Sequence, residues 1–391
     1  MIGRVFTVFA KEVRDALRDR RTALMVLVAS VVTGPVTLVL VAQFVSGLEE
    51  RAATLKVRMV GAEHAPALVN FLQRADVEME RAPEDYAARV KEGRLDAVIV
   101  VPAGFHERWL AHEDARVELV YDNSRTESSP AIRQSERLLD AFNRETAQLR
   151  LMARGVSPSL NESVRVDRIN AATPRQRGAV LLFIIPMFAI LAPLLGGMTL
   201  AIDATAGERE RGSLEPLLAH PVPTAVFAVG KWLAAWASAA TVALVTLAGF
   251  LAAALLFAQR KLPALLQFGW PEFALFVAVV VPLAALTSAA QMLISTFGRT
   301  YREAQTYVSY LATAVTFVPL VVMFSGAREA PWQAAVPALG QLMALTRILR
   351  GDGLSAWDAF VPAAVCLGLA VAAVAAVARL LRDERIVFGR S

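Results

Sequence analysis

The run AVLLFIIPMFAILAPLLGGMTLAI, residues 179–202, contains no charged residue. About 20 mostly apolar residues suffice to carry a helix across the hydrocarbon of a bilayer, so this run reads as a membrane span. Five other runs read the same way: 23–45, 232–257, 273–297, 308–324 and 357–380. The run 232–257 lies inside a longer apolar stretch, 224–258, so an interfacial turn is expected ahead of it. Pro35, Pro186, Pro193, Pro282, Pro319 and Pro362 fall within spans, where they are expected to act as flex points. The chain has 391 residues, is 56% hydrophobic and has mean hydropathy +0.48. A soluble globular enzyme is excluded.

Charge sets the expected orientation, because cations in short loops stay on the cytoplasmic side while long loops cross whatever their charge. One side collects Arg4, Lys11, Arg14, Arg18, Arg20, Arg21, Arg209, Arg211, Lys231, Arg299, Arg302, Arg379, Arg382, Arg385 and Arg390. The short loops opposite hold only Arg260, Lys261, Arg328, Arg347 and Arg350. Both termini are therefore expected in the cytoplasm, which needs an even number of spans. The expected fold is a polytopic α-helical membrane protein with six transmembrane helices and an extracytoplasmic mixed α/β domain between helices 1 and 2. Its parts are an amphipathic interfacial elbow helix at 1–22, the first span at 23–45, the insert at 46–178 and the second span at 179–202. A cytoplasmic coupling loop at 203–223, four spans within 224–380 and a cytoplasmic tail at 381–391 complete it. The insert is nearly balanced in charge, so the pI of about 9.6 comes from the membrane portion. That excess points to topology and lipid headgroups, not to nucleic acid.

Residues 2–21 have helical periodicity. Ile2, Val5, Phe6, Phe9, Val13 and Leu17 fall on one side, with Lys11, Arg14, Asp15 and Arg18 on the other. The pattern predicts a helix lying in the cytoplasmic interface. It serves as a plain membrane anchor or as an elbow that touches a cytoplasmic partner.

Strand and helix signals alternate through the insert. Strands are expected at 55–60, 77–81, 96–101, 116–121 and 164–169, and helices at 65–75, 83–92 and 105–112. A long helix is expected to start at Ser128 or Ser129, lined on one side by Ile132, Ser135, Leu138, Leu139, Phe142, Leu149 and Met152. The near-continuous apolar run DAVIVV, 96–101, suits a strand buried on both faces. His106 and His112 are six residues apart and do not share a helical face, so no metal site is expected there. Cys366 is the single cysteine, which excludes an internal disulfide and a cysteine metal cluster.

The stretch after the second span, DATAGERERGSLEPLLAHPVPTAVFAVGK (203–231), is the most specific in the chain. Glu208, Arg209, Glu210 and Arg211 alternate in sign where the chain leaves the membrane. Gly212 and Ser213 then open a short helix, with Ser213 as its expected N-cap and Glu215 in its first turn. Leu214, Leu217 and Leu218 form its apolar edge, and Pro221 and Pro223 turn the chain back. Such a segment is either an ordinary solvated turn or a lever that docks in a groove on a moving partner.

The stretch resembles the signature of ABC-2-type transporter permeases, E-x-E-x-G-[ST]-L-E-x-L-L-x-x-P-[VI] followed by G-K. Glu208, Glu210, Gly212, Ser213, Leu214, Glu215, Leu217, Leu218, Pro221, Val222, Gly230 and Lys231 fill those positions. The F-x-x-x-x-K-E motif at Phe6, Lys11 and Glu12 is similar to the family's N-terminal motif. So is D-A-x-I-x-x-P-x-G-F, here Asp96, Ala97, Ile99, Pro102, Gly104 and Phe105, in a large domain between spans one and two. Residues 331–351 resemble the family's short external re-entrant helices. The layout is most similar to the sodium-efflux (Nat-type) and multidrug-export branches.

The resemblance implies an exporter subunit of the bacterial inner membrane. Its loop Glu208–Pro221 would contact a separate cytoplasmic ATPase that binds ATP and magnesium, and a second permease copy or paralogue would complete the assembly. This chain has no phosphate-binding loop of its own: Gly230-Lys231 is its one G-K pair, Trp232 stands where Ser or Thr is needed, and Ala225 stands where a glycine is needed. The chain is therefore not expected to be an enzyme or to hold a cofactor or metal. An intramembrane enzyme is excluded by the lack of a suitable acid, base or nucleophile set in the spans. Polar residues in the spans are the candidates for a cargo path: Gln43, Thr287, Gln291, Thr313 and Thr316, with Ser288 and Ser295 beside them. A path without charge suits an amphipathic, drug-like or lipid-like cargo as well as Na⁺. The competing reading is a membrane-anchored sensor or scaffold whose insert binds a ligand or a periplasmic envelope partner.

Overall fold

A computed structural model describes residues 1–18, 28, 32, 34–40, 43, 56–122, 129–160, 183–257, 268–325 and 330–383. The chain forms two compact units, Met1–Val41 with Ala171–Ser391 and, separately, Ala42–Asn170. It opens with helix α1, Ile2–Arg18. Of the first expected span, residues 34–40 are helical and Leu38 is buried; most of the remainder lies outside the described residues.

The insert contains β1 (Val57–Val60), α2 (Pro66–Arg74), β2 (Met79–Arg81), α3 (Tyr86–Lys91), β3 (Ala97–Val100), α4 (Phe105–Leu110), β4 (Glu118–Tyr121) and α5 (Ser129–Ala153). The sheet order is β2-β1-β3-β4. β1 runs parallel to both β2 and β3, with Val57 opposite Met79 and Arg58 opposite Val98, while β3 and β4 are antiparallel. The mixed sheet matches the pattern read from sequence. β3 is an inner strand, and its two faces meet different packing layers. Ile99 joins Met59, Leu68, Leu72 and Phe105, with Leu138, Leu139 and Phe142 of α5 packed over them. Val98 joins Ala82, Val90 and Leu95 on the other face. The periodic face of α5 is used for only part of its length, because Leu149 and Met152 are exposed. The last expected strand, 164–169, lies outside the described residues.

The membrane unit continues with α6 (Ile184–Ile202), α7 (Leu214–Leu218), α8 (Thr224–Phe257), α9 (Trp270–Ser295), α10 (Tyr301–Ser325), α11 (Leu339–Arg350) and α12 (Ala356–Leu380). Among the described residues, four helical stretches are long and apolar enough to cross a membrane: Ile184–Glu210, Thr224–Leu256, Trp270–Ser295 and Ala356–Leu380. The fifth expected span, 308–324, lies within α10. Pro193, Pro282 and Pro362 sit inside continuous helices. α6, α8, α9 and α11 share a core that includes Ile185, Ile190, Leu247, Phe250, Phe276, Leu283, Leu342 and Leu345.

One expectation is corrected. No interfacial turn precedes the span at 232–257, because α8 is a single helix of 34 residues. Ala and Val dominate its first turns, and no glycine or proline pair interrupts them. Residues 331–351 contain two short helical pieces, a 3₁₀ turn at Pro331–Ala335 and α11. α11 buries Leu339, Gln341, Leu342, Leu345, Ile348 and Leu349. Gln341 Nε2 donates to the Pro362 carbonyl at 3.3 Å and to Cys366 Sγ at 3.0 Å, which ties α11 to α12.

Candidate functional site

α6 leaves the bundle through a single π-helical turn, Asp203–Gly207, and runs directly into Glu208–Glu210. Single π turns in α-helices recur at functional sites. Here the turn leads into four successive charged side chains, each with its own set of partners. Glu208 accepts from Lys11 Nζ of α1 at 3.1 Å and lies 2.7 Å from Lys231 Nζ of α8. Arg209 donates to the Thr296 and Gly298 carbonyls, both at 2.9 Å, just past the end of α9. Glu210 Oε2 accepts from the Tyr301 backbone N–H at 2.7 Å, at the start of α10. Arg211 donates to Asp203 Oδ1 at 2.8 Å, which raises the pKa of Arg211. A cation on the orphan carbonyls of a helix end and an anion on the orphan N–H groups of a helix start are both favoured placements. At the same end of the bundle, Thr224 Oγ1 donates to the Ala378 carbonyl at 2.8 Å and accepts from Arg382 Nε at 3.1 Å. One segment therefore gathers the ends of α1, α8, α9 and α10 around the exit of α6.

At its centre lies a quartet of two lysines and two glutamates, of which Glu12, Glu208 and Lys231 are buried and Lys11 is half exposed. Lys231 Nζ is 2.8 Å from Glu12 Oε1, and Lys11 Nζ is 3.1 Å from the same oxygen. The Lys231 side chain is only 2% exposed and that of Glu208 6%. Burial alone would disfavour charged Lys11, but Glu12 and Glu208 outweigh it and raise its pKa. Gly230, next to Lys231, makes the approach of α1 possible. A Cβ there would stand 2.7 Å from Val8 and 3.1 Å from the Val5 carbonyl. α1 thus turns Val5, Val8 and Glu12 toward α8 and Lys11 toward Glu208, and leaves Ile2, Phe6, Arg14 and Leu17 exposed. Phe9 packs half-buried beside Phe6 with their ring centroids 6.0 Å apart.

Two sequence expectations for this segment are corrected. Glu208 was read as facing a partner subunit, but its carboxylate is turned into the protein. Ser213 was read as an N-cap acceptor, but its hydroxyl donates to the Glu208 carbonyl at 3.2 Å and makes no cap bond. The apolar edge of α7 also turns inward: Leu214 is buried among Ala228, Met292 and Val377, and Leu217 packs against them. The Leu218 side chain lies outside the described residues. Glu210, Arg211, Gly212, Ser213, Glu215, Pro216, Ala219, His220 and Pro221 are what the segment exposes.

The cargo-path residues do not share one environment. Thr287 and Gln291 are buried one turn apart on α9. Thr287 back-bonds to the Ala284 carbonyl at 3.2 Å, as Ser288 does at 2.8 Å. Gln291 Nε2 crosses to the Leu194 carbonyl of α6 at 2.7 Å. Thr313 is exposed and Thr316 half-buried on α10, each bonded to its own helix at 2.8 and 2.7 Å. Gln43 is exposed. Sequence reading missed the contact of Thr205 Oγ1 with Ser295 Oγ at 2.6 Å, which ties the π turn to α9. It also placed Lys231 outside the span and missed that Lys11, Glu12, Glu208 and Lys231 meet. The signal was there as three separate motif fragments, each carrying a charge at the edge of an apolar run.

A family model described as ABC-2 family transporter protein matches residues 6–381. The chain is 30% identical over 334 residues, 83% of each protein, to the ABC transporter permease protein NatB of Bacillus subtilis (strain 168). It is 22% identical over 237 residues to the probable multidrug ABC transporter permease YbhR of Escherichia coli (strain K12), covering 59% of this chain and 60% of that protein. No solved structure gives a significant match.

Proposed function

The chain belongs to the ABC-2 transporter family, and on that premise we propose that it is the permease subunit of an ATP-driven exporter in a bacterial inner membrane. In this reading both termini and the segment 203–221 are cytoplasmic, and the insert is extracytoplasmic. A separate ATPase subunit binds ATP and magnesium, and a second permease copy or paralogue completes the transporter. The cargo is Na⁺ or an amphipathic, drug-like or lipid-like molecule. The insert is free to meet a periplasmic partner.

The observation that carries the reading is the segment that leaves α6. It anchors several helix ends at once while leaving Glu215, Pro216, Ala219 and His220 exposed. A push on these residues reaches α1, α8, α9 and α10 together. The ligand gains transport only through different affinity for the two arrangements such a push interconverts. Gln43, Thr287, Gln291, Thr313 and Thr316 are all uncharged, which fits a route for such a cargo.

The test is affinity purification from native membranes in mild detergent through a C-terminal tag, with mass spectrometry of everything retained. A stoichiometric protein with nucleotide-binding motifs is expected. A homo-oligomer with no ATPase, from membranes where the complex survives, would replace this reading with the sensor or scaffold.

A further inference from the structure

The four groups of the quartet come from three places far apart in the chain: Lys11 and Glu12, Glu208, and Lys231. Lys231 is the shared member. Its ammonium is the one group that touches both carboxylates while itself nearly fully buried, at 2.8 Å from Glu12 and 2.7 Å from Glu208. Glu208 has not used its full capacity: Oε1 takes both lysines, while Oε2 is buried without a hydrogen-bond partner among the described residues. A buried acceptor left open in this way calls for an explanation, and a second arrangement of the same charges supplies one. Gly230 keeps α1 close enough for Glu12 to reach. The outer face of α1 carries exposed Ile2, Phe6 and Leu17, the pattern of a helix whose apolar side lies in a lipid interface.

We propose that Lys231 is a positioning residue that joins α1 to the segment after α6, so that displacement of residues 208–218 moves α1 within the membrane interface. This rests on the permease reading above. Lys231 acts on no cargo and no nucleotide; it acts by holding Glu12 and Glu208 to one point. Moving Glu208 either carries Lys231 and Glu12 along or exchanges their partners on Oε1 and Oε2. Both outcomes displace or release α1.

The experiment uses the full chain with its co-purified ATPase in lipid nanodiscs, and compares hydrogen exchange with and without ATP–vanadate trapping. In the unaltered protein, residues 2–18 and 208–218 are both expected to change. In Glu12→Lys, residues 208–218 still change, while the response of 2–18 falls at least fivefold. Lys231→Met, which loses the charge, is expected to lower the response of 2–18 to the same extent, while Lys231→Arg, which keeps a cation between Glu12 and Glu208, retains at least half of it. A merely structural role would not divide the two variants in this way. The proposal is overturned if 2–18 does not respond in the unaltered protein. It is equally overturned if Glu12→Lys leaves the response intact, or if Lys231→Arg behaves as Lys231→Met does. Should Glu12→Lys fail to accumulate in membranes, Glu12→Gln is read in the same way, since it removes the carboxylate that Lys231 meets; an unaltered response in it overturns the proposal. Absence of any ATPase from the complex overturns the permease reading instead, which keeps the two failures distinct.

Discussion

The membrane unit and the insert both carry many ion pairs, yet they use them differently. In the insert the pairs sit at the surface, as in Arg74–Glu145 at 2.7 Å, with Arg74 66% exposed. Each joins two side chains and nothing more. In the membrane unit Lys11, Glu12, Glu208 and Lys231 share contacts, and Lys231 is closed off from water. Surface pairs contribute little, because water and salt screen them. A buried pair gains little net energy over an apolar replacement, yet removing one partner leaves an uncompensated charge and is strongly destabilising. The insert is thus held by its apolar layers, with charge as its solvated skin. The root of the helical bundle is held by charge, which fixes which helices meet and at what register.

Three substitutions sharpen the contrast, and thermal unfolding of the purified full chain in detergent reads them all. Lys231→Met removes the shared cation and leaves Glu12 and Glu208 with Lys11 alone, so a loss of about 3–5 kcal/mol is expected. An unchanged melting transition would show that the quartet is not a buried unit. Gly230→Ala keeps every charge but places a methyl group 2.7 Å from Val8; overpacking of this kind costs about 1–3 kcal/mol. Faster proteolytic release of α1 should accompany it, and intact α1 packing would break the argument for close approach. Arg74→Ala in the insert should change stability by less than about 1 kcal/mol. A larger loss there would erase the distinction between the two regions.

Much of this was legible in the sequence, for reasons that differ by element. The spans at 179–202, 273–297 and 357–380 announce themselves because lipid demands long apolar runs. The sheet strands at β1, β3 and β4 were readable because burial on one or both faces leaves period-two or continuous apolar patterns. α1 is readable as a helix, but its apolar side reads as one face where the structure divides it between an exposed side and α8. The quartet was not readable as a unit, because nothing in local periodicity says that residues 12, 208 and 231 share a point. Its motif fragments are visible, and the family resemblance assigns Glu208 to a partner contact because a motif position does not say which way its side chain turns. Inward-facing Leu214 was misread for the mirror-image reason: an apolar edge on a short loop helix suggested a partner when its partner was the bundle itself.

The unbroken length of α8 has a mechanical meaning. Thirty-four residues at 1.5 Å each make a rod of about 51 Å, against a hydrocarbon layer of about 30 Å. One end of this rod is pinned, since Thr224 is bonded to α12 and Lys231 to two carboxylates. A rod fixed at its foot and longer than the membrane is thick takes up any change in bilayer thickness by tilting about that foot or by deforming the lipid around it. The charged root is then a fulcrum as well as a fastening, and in the proposed reading membrane thickness becomes an input to the same joint that residues 208–218 work.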